Sequence, residues 1–480
     1  MEKSILNFAK SILLNLVLAF SLMAQDVPGI MQIGKSVIFT NGHIISYPLI
    51  GQYTAMGDPL SESRKLANDR KNDFLNKGSW KNTDDHLKFS LPLKVKDGFA
   101  DPGFYAITAY TDHDTLFSGF LLDYNCGSLT YDLENGYNHQ GTDFFLWPFP
   151  WHKMIEDEVE VVAAAPGTLI IKQDGNYDFN CEENTEPWNG IGLLHEDGST
   201  SWYVHLKKNS LTAKTIGDTI EQGEYLGIVG SSGSSLMPHL HFEVRDADGN
   251  VIDPFAGSCN ASVTESWWLN QLPYKEPAIN KISTHSHLPV YPECPGEEIL
   301  NESSVFYPGD SIFLLAYFRN ISIGDQVKVK IFTPDNTVFA EWLWTNPNDF
   351  YTASYVFFLM FLNEEHFGTW KYEINFYGMT YETYFELKDP QGLPNTTYPG
   401  KVEIFPNPAE NMIWIKFPHE ILKQKEIKLF NSTGQKIEKF PGIIYAGSAC
   451  VLDITDLPPG IYVIQLNLDS EPVHRKFIKK

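Results

Sequence analysis

The sequence predicts a mostly β, multidomain protein. Short apolar runs alternate with turn signals along most of the 480 residues, and a chain of this length favours three or four domains. Hydrophobic residues make up 43% of the chain and aromatic residues 14%, which excludes global disorder. The formal net charge of −24 argues against nucleic-acid binding, because nucleic-acid-binding proteins present a basic face.

The N-terminal residues 1–24 have the pattern of a secretory signal peptide. Lys3 and Lys10 precede an apolar run over residues 12–23, and the small residue Ala24 stands at the expected cleavage site. This run is too short for a stable membrane span, and no other stretch is long and apolar enough to cross a bilayer. The sequence therefore predicts an exported protein without a transmembrane segment.

Composition shifts divide the rest of the chain into five segments. They are a mixed N-terminal region (25–122) with a charged helix near 60–77, an antiparallel β-sheet domain (123–275), an immunoglobulin-like β-sandwich (276–388), a linker rich in Pro, Gly and Asn (389–400), and a small C-terminal β-sandwich (401–480). The segment 123–275 is Gly-rich, and turn signals such as QDGN and DADGN separate its apolar runs. It also holds the residues that point to chemistry.

Export permits disulfides, and the chain has an odd number of cysteines. They are Cys126, Cys181, Cys259, Cys294 and Cys450. At least one must be free or pair between chains, and the spacing does not choose among the pairings. None has a CxxC spacing, which argues against a cysteine metal site.

Two short motifs of segment 123–275 combine imidazole and carboxylate groups. PHLHFEV places His239 and His241 two apart, so that both project from one face of a strand. NHQGTD places His139 and Asp143 four apart, a spacing that lets both face one way. Two imidazoles and one carboxylate, with one open position, are typical of a catalytic zinc site.

A hydrolytic zinc site also needs a group that accepts a proton. The HExxH helix, in which a glutamate is the base, is absent. The available groups are His205, in SWYVHL, and whichever histidine of the PHLH pair does not bind metal. A neutral imidazole suits this role near neutral pH.

Five other histidines are not assigned to this chemistry. THSH repeats the His-x-His spacing with His285 and His287, and we expect it to be a solvated loop. His195 is expected to be structural. His113 and His152 could bind metal, but we expect both on surface loops. The Gly-Ser loop 230–235 lacks the Lys of a phosphate-binding loop, and we expect it to bring backbone close to the site.

The order of these motifs resembles that of the lysostaphin-like zinc endopeptidases. The resemblance covers about residues 123–260 and includes HQGTD, AAAPGTLI, SWYVHL, GDTIEQGEYLGIVG and PHLHFEV. It implies that Zn2+ binds to His139, Asp143 and His241, and that His205 and His239 polarise water or the scissile carbonyl. Met237 stands where Gly is usual before PHLH, which puts substrate preference rather than chemistry in doubt.

Aromatic insertions near these motifs could shape a cleft. Trp147, Trp151 and Trp188 lie in two segments that look like elaborations of the domain. These residues either line the cleft or belong to the core.

The last 80 residues carry a second resemblance. IFPNPAENMIWI, DITDLPPGIYVIQL and the basic ending RKFIKK are similar to the C-terminal sorting domain of the type IX secretion system. This implies a Gram-negative bacterium of the Bacteroidota kind, handling by the type IX machinery, and a protein that is secreted or attached to the outer cell surface.

Together these features predict a secreted zinc metalloendopeptidase that acts on peptidoglycan cross-links or Gly-rich proteins. The alternatives are a catalytically silent binding or regulatory protein on the same fold and a surface adhesin in which the sandwich is the working part. A further hypothesis is that the N-terminal region is an inhibitory pro-segment that fills the open zinc position until it is removed.

Overall fold

The computed structural model describes residues 30–33, 36–46, 60–75, 86–116, 119–133, 136–291, 296–348, 351–362, 366–389, 402–405, 407–409, 412–416, 427–432, 434–437, 443–446, 449–468 and 471–480. Strands dominate these residues, which confirms the mostly β, multidomain prediction. Within the same ranges, no helix has the length and apolar character needed to cross a membrane. The predicted signal peptide and residues 390–400 of the predicted linker lie outside the described residues.

The N-terminal region is distributed over three sheets. Its elements are β1 (Ile30–Ile33), β2 (Ser36–Ser46), α1 (Ser61–Leu75), β3 (Leu93–Val95) and β4 (Tyr105–Ala109). The hairpin β1–β2 extends a sheet of the sandwich, whereas β3 and β4 each join a sheet of the next domain. Helix α1 confirms the helix expected near residues 60–77.

The central domain is built from two antiparallel sheets. Its elements are β5 (Thr142–Leu146), α2 (Pro150–Ile155), β6 (Val159–Val162), β7 (Gly167–Gln173), β8 (Gly190–Leu194), β9 (Thr200–Val204), β10 (Thr219–Ile220), β11 (Tyr225–Ile228), β12 (His239–Arg245) and β13 (Val251–Ile252). The large sheet has the order β10-β7-β8-β9-β12-β5-β4, with β13 beside β12, and the small sheet has the order β11-β6-β3. The predicted boundary at residue 122 thus falls between two paired strands, β4 and β5.

The core of this domain lies between the two sheets. Strand β12 shows why the sheet has one apolar face: Leu240, Phe242 and Val244 alternate along it, and all three are buried in this core. Val159 and Val161 of β6 cover them from the small sheet. The opposite face of β12 is therefore left to the polar residues of the alternation.

Helix α1 packs on that opposite face of the large sheet. Leu60 and Ala67 are buried in a cluster with Ile170, Trp202 and Val204, which point away from the main core. Arg64 and Lys71 are buried on the same stripe of the helix, because spacings of three and four residues return to one face. The helix thus covers part of the face that carries the polar residues of β12.

A disulfide closes the central domain. Cys126 and Cys259 are joined, which links the chain segment before β5 to the segment after β13. Cys181 is also disulfide-bonded. Cys450 is free and buried, in agreement with the odd cysteine count.

The predicted sandwich consists of two five-stranded sheets. Its strands are β14 (Ala278–His285), β15 (Val305–Phe306), β16 (Ser311–Ile321), β17 (Gln326–Phe332), β18 (Val338–Thr345), β19 (Tyr351–Phe361), β20 (Gly368–Phe376) and β21 (Met379–Leu387). The sheet orders are β1-β2-β19-β16-β14 and β15-β21-β20-β17-β18. Residues of both sheets form one apolar core. Two strands from the far N-terminus therefore complete this sandwich.

The sandwich is packed against the central domain. Trp147 is completely buried and donates its indole N–H to the Phe318 carbonyl at 3.0 Å. The Asn280 side-chain amide donates to the carbonyls of Tyr105 and Trp147, both at 2.9 Å. These bonds join β14 and β16 of the sandwich to the edge of the large sheet.

The C-terminal segment forms two further antiparallel sheets. Its strands are β22 (Glu403–Phe405), β23 (Met412–Lys416), β24 (Ile427–Asn431), β25 (Ile443–Ala446), β26 (Ala449–Asp453), β27 (Gly460–Leu468) and β28 (Glu471–Lys479). The orders are β22-β23-β26-β25 and β24-β27-β28. Both sheets contribute to one buried cluster, as expected for a small sandwich.

Candidate active site

The candidate site lies on the polar face of β12, where three strands meet. His241 is paired across the sheet with Asp143 of β5 on one side and with Val204 of β9 on the other. His205 follows β9 directly, and His139 precedes β5 by three residues. Pairing in the sheet therefore brings together residues that are up to 102 positions apart in the chain.

Three potential ligand atoms converge at this point. His139 Nε2 and His241 Nδ1 are 3.1 Å apart, and Asp143 Oδ1 lies 2.9 Å from His241 Nδ1 and 3.2 Å from His139 Nε2. All three residues are buried. Among the described residues, they form the group of His, Cys, Asp and Glu side chains arranged to hold a metal ion.

The donor set fits zinc. The Tyr110 carbonyl accepts a hydrogen bond from His139 Nδ1 at 2.7 Å, which leaves the lone pair of Nε2 directed at the other two groups. Tetrahedral zinc with bonds near 2.0–2.1 Å places its ligand atoms roughly 3.4 Å apart, close to the observed separations. Three acceptor atoms at such distances repel one another unless a cation or a proton lies between them.

The electrostatics of the site also favour a positive charge. Burial lowers the pKa of His241, but hydrogen bonds to the carboxylates of Asp143 and Glu243 outweigh this and raise its pKa to about 9. Burial likewise works against the charge of Asp143, yet its histidine neighbours hold the pKa of that carboxyl well below its usual range. A divalent cation would take the place of the proton that this site attracts.

His205 and His239 lie beside the three potential ligands. Their rings are 4.5 Å apart, and His239 Nε2 is 3.7 Å from Asp143 Oδ1. Each ring is anchored through Nδ1 to a backbone carbonyl, His205 to Ser232 at 2.7 Å and His239 to Met237 at 2.8 Å. In both rings Nε2 is therefore the atom available for proton transfer.

Burial sets the protonation state of this pair. It lowers the pKa of both imidazoles, and for His205 the neighbouring His239 and His241 lower it further, to well below its ordinary value. Both rings are neutral at neutral pH. His205 also has a left-handed backbone with φ of 67°, a conformation that costs a non-glycine residue energy and is common at functional sites.

A cleft passes over the site. Two adjoining cavities share Tyr131, Glu183, His205 and Ser234 in their walls. The carbonyl of Ser232, which anchors His205, confirms that the Gly-Ser loop brings backbone to the site. His241 lines one of these cavities and Asp143 lines the other, so the convergent group is accessible from the cleft.

Three residues of the site were missed by sequence reasoning. Tyr131 stacks on the ring of His139 at 4.3 Å, and burial raises the pKa of Glu183 in the cleft wall to about 7. Glu243 Oε2 lies 3.5 Å from His241 Nε2, a buried nitrogen without a closer partner. Period-two alternation along β12 could have revealed Glu243, because residues 239, 241 and 243 share a face.

The three histidines expected to be structural or on surface loops lie in different environments. His195 is buried between the Pro166 carbonyl and the Ser201 hydroxyl, so the structural role is confirmed. His113 lies in a loop and contacts the buried Asp253 carboxylate at 2.9 Å. His152 is in helix α2, so the loop expectation was wrong for this residue.

The prediction for THSH was wrong for His285 and is confirmed for His287. His285 is completely buried at the end of β14, with both ring nitrogens bonded, to Leu300 and Ser283. His287 is exposed beyond the strand. The motif lies beyond the predicted domain boundary and has no carboxylate partner in the sequence, which suggests a solvated loop. In the fold its strand pairs with β16, and the ring of His285 is hydrogen-bonded on both sides.

The three tryptophans that were candidates for the cleft lie in different environments. Trp188 lines the cleft, whereas Trp147 belongs to the core shared with the sandwich. Trp151 is buried and stacks on Phe179 at 5.6 Å.

Comparison with known proteins agrees with this geometry. Residues 138–254 match Peptidase family M23, and this segment contains all five candidate site residues. The chain contains an M23 peptidase domain. Residues 403–480 match a secretion system C-terminal sorting domain. Both resemblances drawn from the sequence are confirmed, and M23 peptidases are zinc-dependent, as the His-Asp-His group suggests.

Individual relatives of the M23 domain are similar over part of the chain. Glycyl-glycine endopeptidase ALE-1 from Staphylococcus capitis is 34% identical over 110 residues, which are 23% of this chain and 25% of that protein. Lysostaphin from Staphylococcus simulans is 33% identical over 110 residues, 23% of this chain and 18% of that protein. The chain therefore spans a quarter or less of the length of these relatives.

A solved structure of the lysostaphin catalytic domain from Staphylococcus simulans is 24% identical and covers 31% of this chain and 89% of that domain, with a TM-score of 0.21.

Proposed function

We propose that this chain is an exported zinc metalloendopeptidase that hydrolyses peptide bonds in peptidoglycan cross-links or in glycine-rich proteins. The observation that supports this most directly is the convergence of His139, Asp143 and His241 beside two further imidazoles. A binding protein has no need of that second pair. Five groups placed for both metal binding and proton transfer favour hydrolysis.

The roles of the residues follow from their atoms. His139 Nε2, Asp143 Oδ1 and His241 Nδ1 would hold the metal. Zinc, when bound, would supply a Lewis acid that polarises the scissile carbonyl and brings the pKa of water to about 7.

His205 and His239 carry the proton. As neutral rings with Nε2 available, they accept a proton from the attacking water and return it to the leaving amine. Once protonated, the same nitrogen can donate a hydrogen bond to the developing oxyanion. The short distance between the two rings allows both to contact one scissile bond.

The names of two relatives suggest which peptide bonds to test as substrates. One is named a glycyl-glycine endopeptidase, and another, from Neisseria meningitidis, is named a DD-carboxypeptidase/endopeptidase. Peptidoglycans with glycine bridges and with direct cross-links are therefore the substrates to compare. Mass spectrometry of the peptides released from each would identify the bond.

The test of the proposal combines that assay with chelation. The full chain should release peptides from purified cell wall, lose this activity on removal of metal, and regain it with Zn2+. A binding protein or adhesin would release nothing but would keep its affinity for cell wall after chelation, and this outcome would reject the proposal in favour of the alternative.

Export is proposed to proceed by the type IX route. The match of residues 403–480 to a sorting domain supports handling by that machinery, after the predicted signal peptide has directed the chain across the inner membrane. Deleting residues 401–480 should retain the protein inside the cell envelope. Unchanged release of the shortened chain would count against this route.

The inhibitory pro-segment also stays a hypothesis. Strand β4 pairs with β5, the strand that carries Asp143, so removal of the whole N-terminal region would expose an edge of the catalytic sheet. Equal activity of the full and shortened chains would reject inhibition by this segment.

A further inference from the structure

Helix α1 brings a buried cation to the candidate metal site. Arg64 and Glu243 are 8% and 0% exposed, and they lie 179 positions apart. Arg64 Nε donates to Glu243 Oε1 at 3.0 Å, and its Nη2 donates to Oε2 at 2.5 Å. These two bonds hold the plane of the carboxylate in one orientation and stabilise its negative charge.

Glu243 lies behind a metal ligand. Its Oε2, the oxygen that accepts from Arg64 Nη2, is 3.5 Å from His241 Nε2. The other nitrogen of His241 faces His139 and Asp143. A metal-binding histidine usually directs its second nitrogen at a carboxylate or a carbonyl, which sets the ring orientation and tautomer.

The two arginines at Glu243 are not equivalent. Arg245, on the same strand, donates to Oε1 at 2.5 Å, whereas Arg64 also contacts Oε2, the oxygen nearest His241. Loss of Arg64 would leave Arg245 free to turn the carboxylate away from the ring. The helix residue is therefore the one placed to orient the oxygen that meets His241.

We propose that Arg64 is a positioning residue of the metal centre, which orients Glu243 and through it the ligand His241. The inference rests on the proposed zinc peptidase function and adds a requirement to it. Helix α1 lies outside residues 138–254, the segment that matches the peptidase family. In this protein the N-terminal helix thus supports the geometry of the metal centre.

This assignment and the pro-segment hypothesis predict opposite effects of losing the helix. A removable inhibitor should raise activity when it is lost, whereas loss of a positioning helix should weaken metal binding. Leu60, just before α1, also lines the cleft beside His205 and His241. The residue that leads into the helix therefore forms part of the cleft wall, and among the described residues the helix supplies no metal ligand.

The test measures zinc affinity by competition with a chromophoric chelator, using the full chain. Arg64→Ala should weaken zinc binding about 10- to 100-fold, the range typical of residues that support metal ligands. Arg70→Ala is the matched control, because Arg70 holds the same helix to the Ile170 carbonyl at 2.6 Å. That variant should change zinc affinity less than about twofold, since Glu243 keeps its partner.

Two further variants separate positioning from loss of fold. Arg64→Lys keeps the charge but not the two-bond geometry, so it should give an intermediate loss and a shifted visible spectrum of the Co2+-substituted protein. In a Glu243→Gln background, Arg64→Ala should have little additional effect on zinc affinity. If Arg64→Ala fails to fold, the lysine variant decides.

The outcomes distinguish this inference from the proposed function. Zinc affinity and a Co2+ spectrum unchanged in Arg64→Lys, or equal losses in the Arg64 and Arg70 variants, would overturn it. If the zinc affinities change as expected but no variant and no parent protein cleaves cell wall, the peptidase function fails while the positioning role stands.

Discussion

The His-x-His pairs of β12 and β14 share a spacing but differ in what their ring nitrogens contact. His241 Nδ1 faces two other potential ligand atoms, and its Nε2 faces the Glu243 carboxylate. Both nitrogens of His285 are taken by hydrogen bonds within the sandwich. Both rings are buried, so burial alone does not distinguish a metal ligand from a structural residue.

The difference lies in the neighbouring strands. On β12, pairing with β5 places an aspartate opposite the histidine. On β14, pairing with β16 places Phe313 opposite His285. A ligand needs partners that leave its lone pair available, and those partners are supplied by other strands of the sheet.

The largest effect is expected when each of the two buried histidines, His241 and His285, is replaced by alanine. His241→Ala should abolish stoichiometric zinc binding and reduce hydrolysis by more than the roughly 100-fold that loss of a supporting residue can cost. His285→Ala should leave zinc and hydrolysis unchanged but destabilise the sandwich by about 1–3 kcal/mol, because it leaves buried polar groups unpaired. Metal analysis and thermal unfolding of both variants provide the check.

If His285→Ala lost zinc, or if His241→Ala kept full hydrolysis with bound zinc, the contrast between the two pairs would be wrong.

The second test concerns the two imidazoles that do not belong to the metal group. His205→Ala and His239→Ala should each lower kcat by about 10²- to 10⁴-fold, the usual contribution of a group that transfers a proton. Zinc content should stay at one ion per chain, because neither ring is among the three convergent ligands. Steady-state kinetics and metal analysis on the same samples would show this.

Loss of zinc together with activity in either variant would place that ring among the ligands instead.

The third test uses pH to follow His285. Burial, with a smaller contribution from the charge of Lys281, lowers the pKa of His285 to about 4. The unfolded chain, with a His pKa near 6.5, binds the proton first, so stability is lost as pH falls from about 6.5 towards 4. The loss should approach about 3 kcal/mol, at 1.36 kcal/mol for each pKa unit.

Hydrogen exchange of β14 and β16 peptides at pH 7 and pH 4.5 would measure this change. His285→Gln, which cannot gain a charge, should flatten the dependence. An unchanged slope in that variant would assign the acid sensitivity to another group.

The smallest expected effect is at the second histidine of THSH. His287 is exposed, and it has the same place in its motif as His241 has in PHLH. His287→Ala should change stability by less than about 0.5 kcal/mol, because it removes no buried contact. Unchanged unfolding and unchanged zinc content would complete the contrast with His241.

Much of the M23 domain could be predicted from the chain alone. The ordered motifs identified the family segment, and period two along PHLHFEV placed His239 and His241 on one face of a strand, as observed. The C-terminal motifs likewise identified the sorting domain. These predictions succeeded because they depend on local spacing.

The failures share a different cause. The position of His285 beyond the domain boundary, without a carboxylate partner, suggests a solvated loop, but its burial depends on contacts with β16 and with Leu300. The N-terminal region was treated as one unit, yet its strands join three sheets. Arg64 escaped notice because its contact with Glu243 spans 179 positions.

The sequence by itself determined which side chains are available for chemistry and which face of β12 they occupy, because alternation along a strand is local. The tertiary structure decided which histidine meets a carboxylate, which one is sealed by hydrogen bonds, and that an arginine from α1 lies behind the metal group. These outcomes depend on the pairing of distant strands and on the docking of a helix, so no spacing within a single motif can specify them.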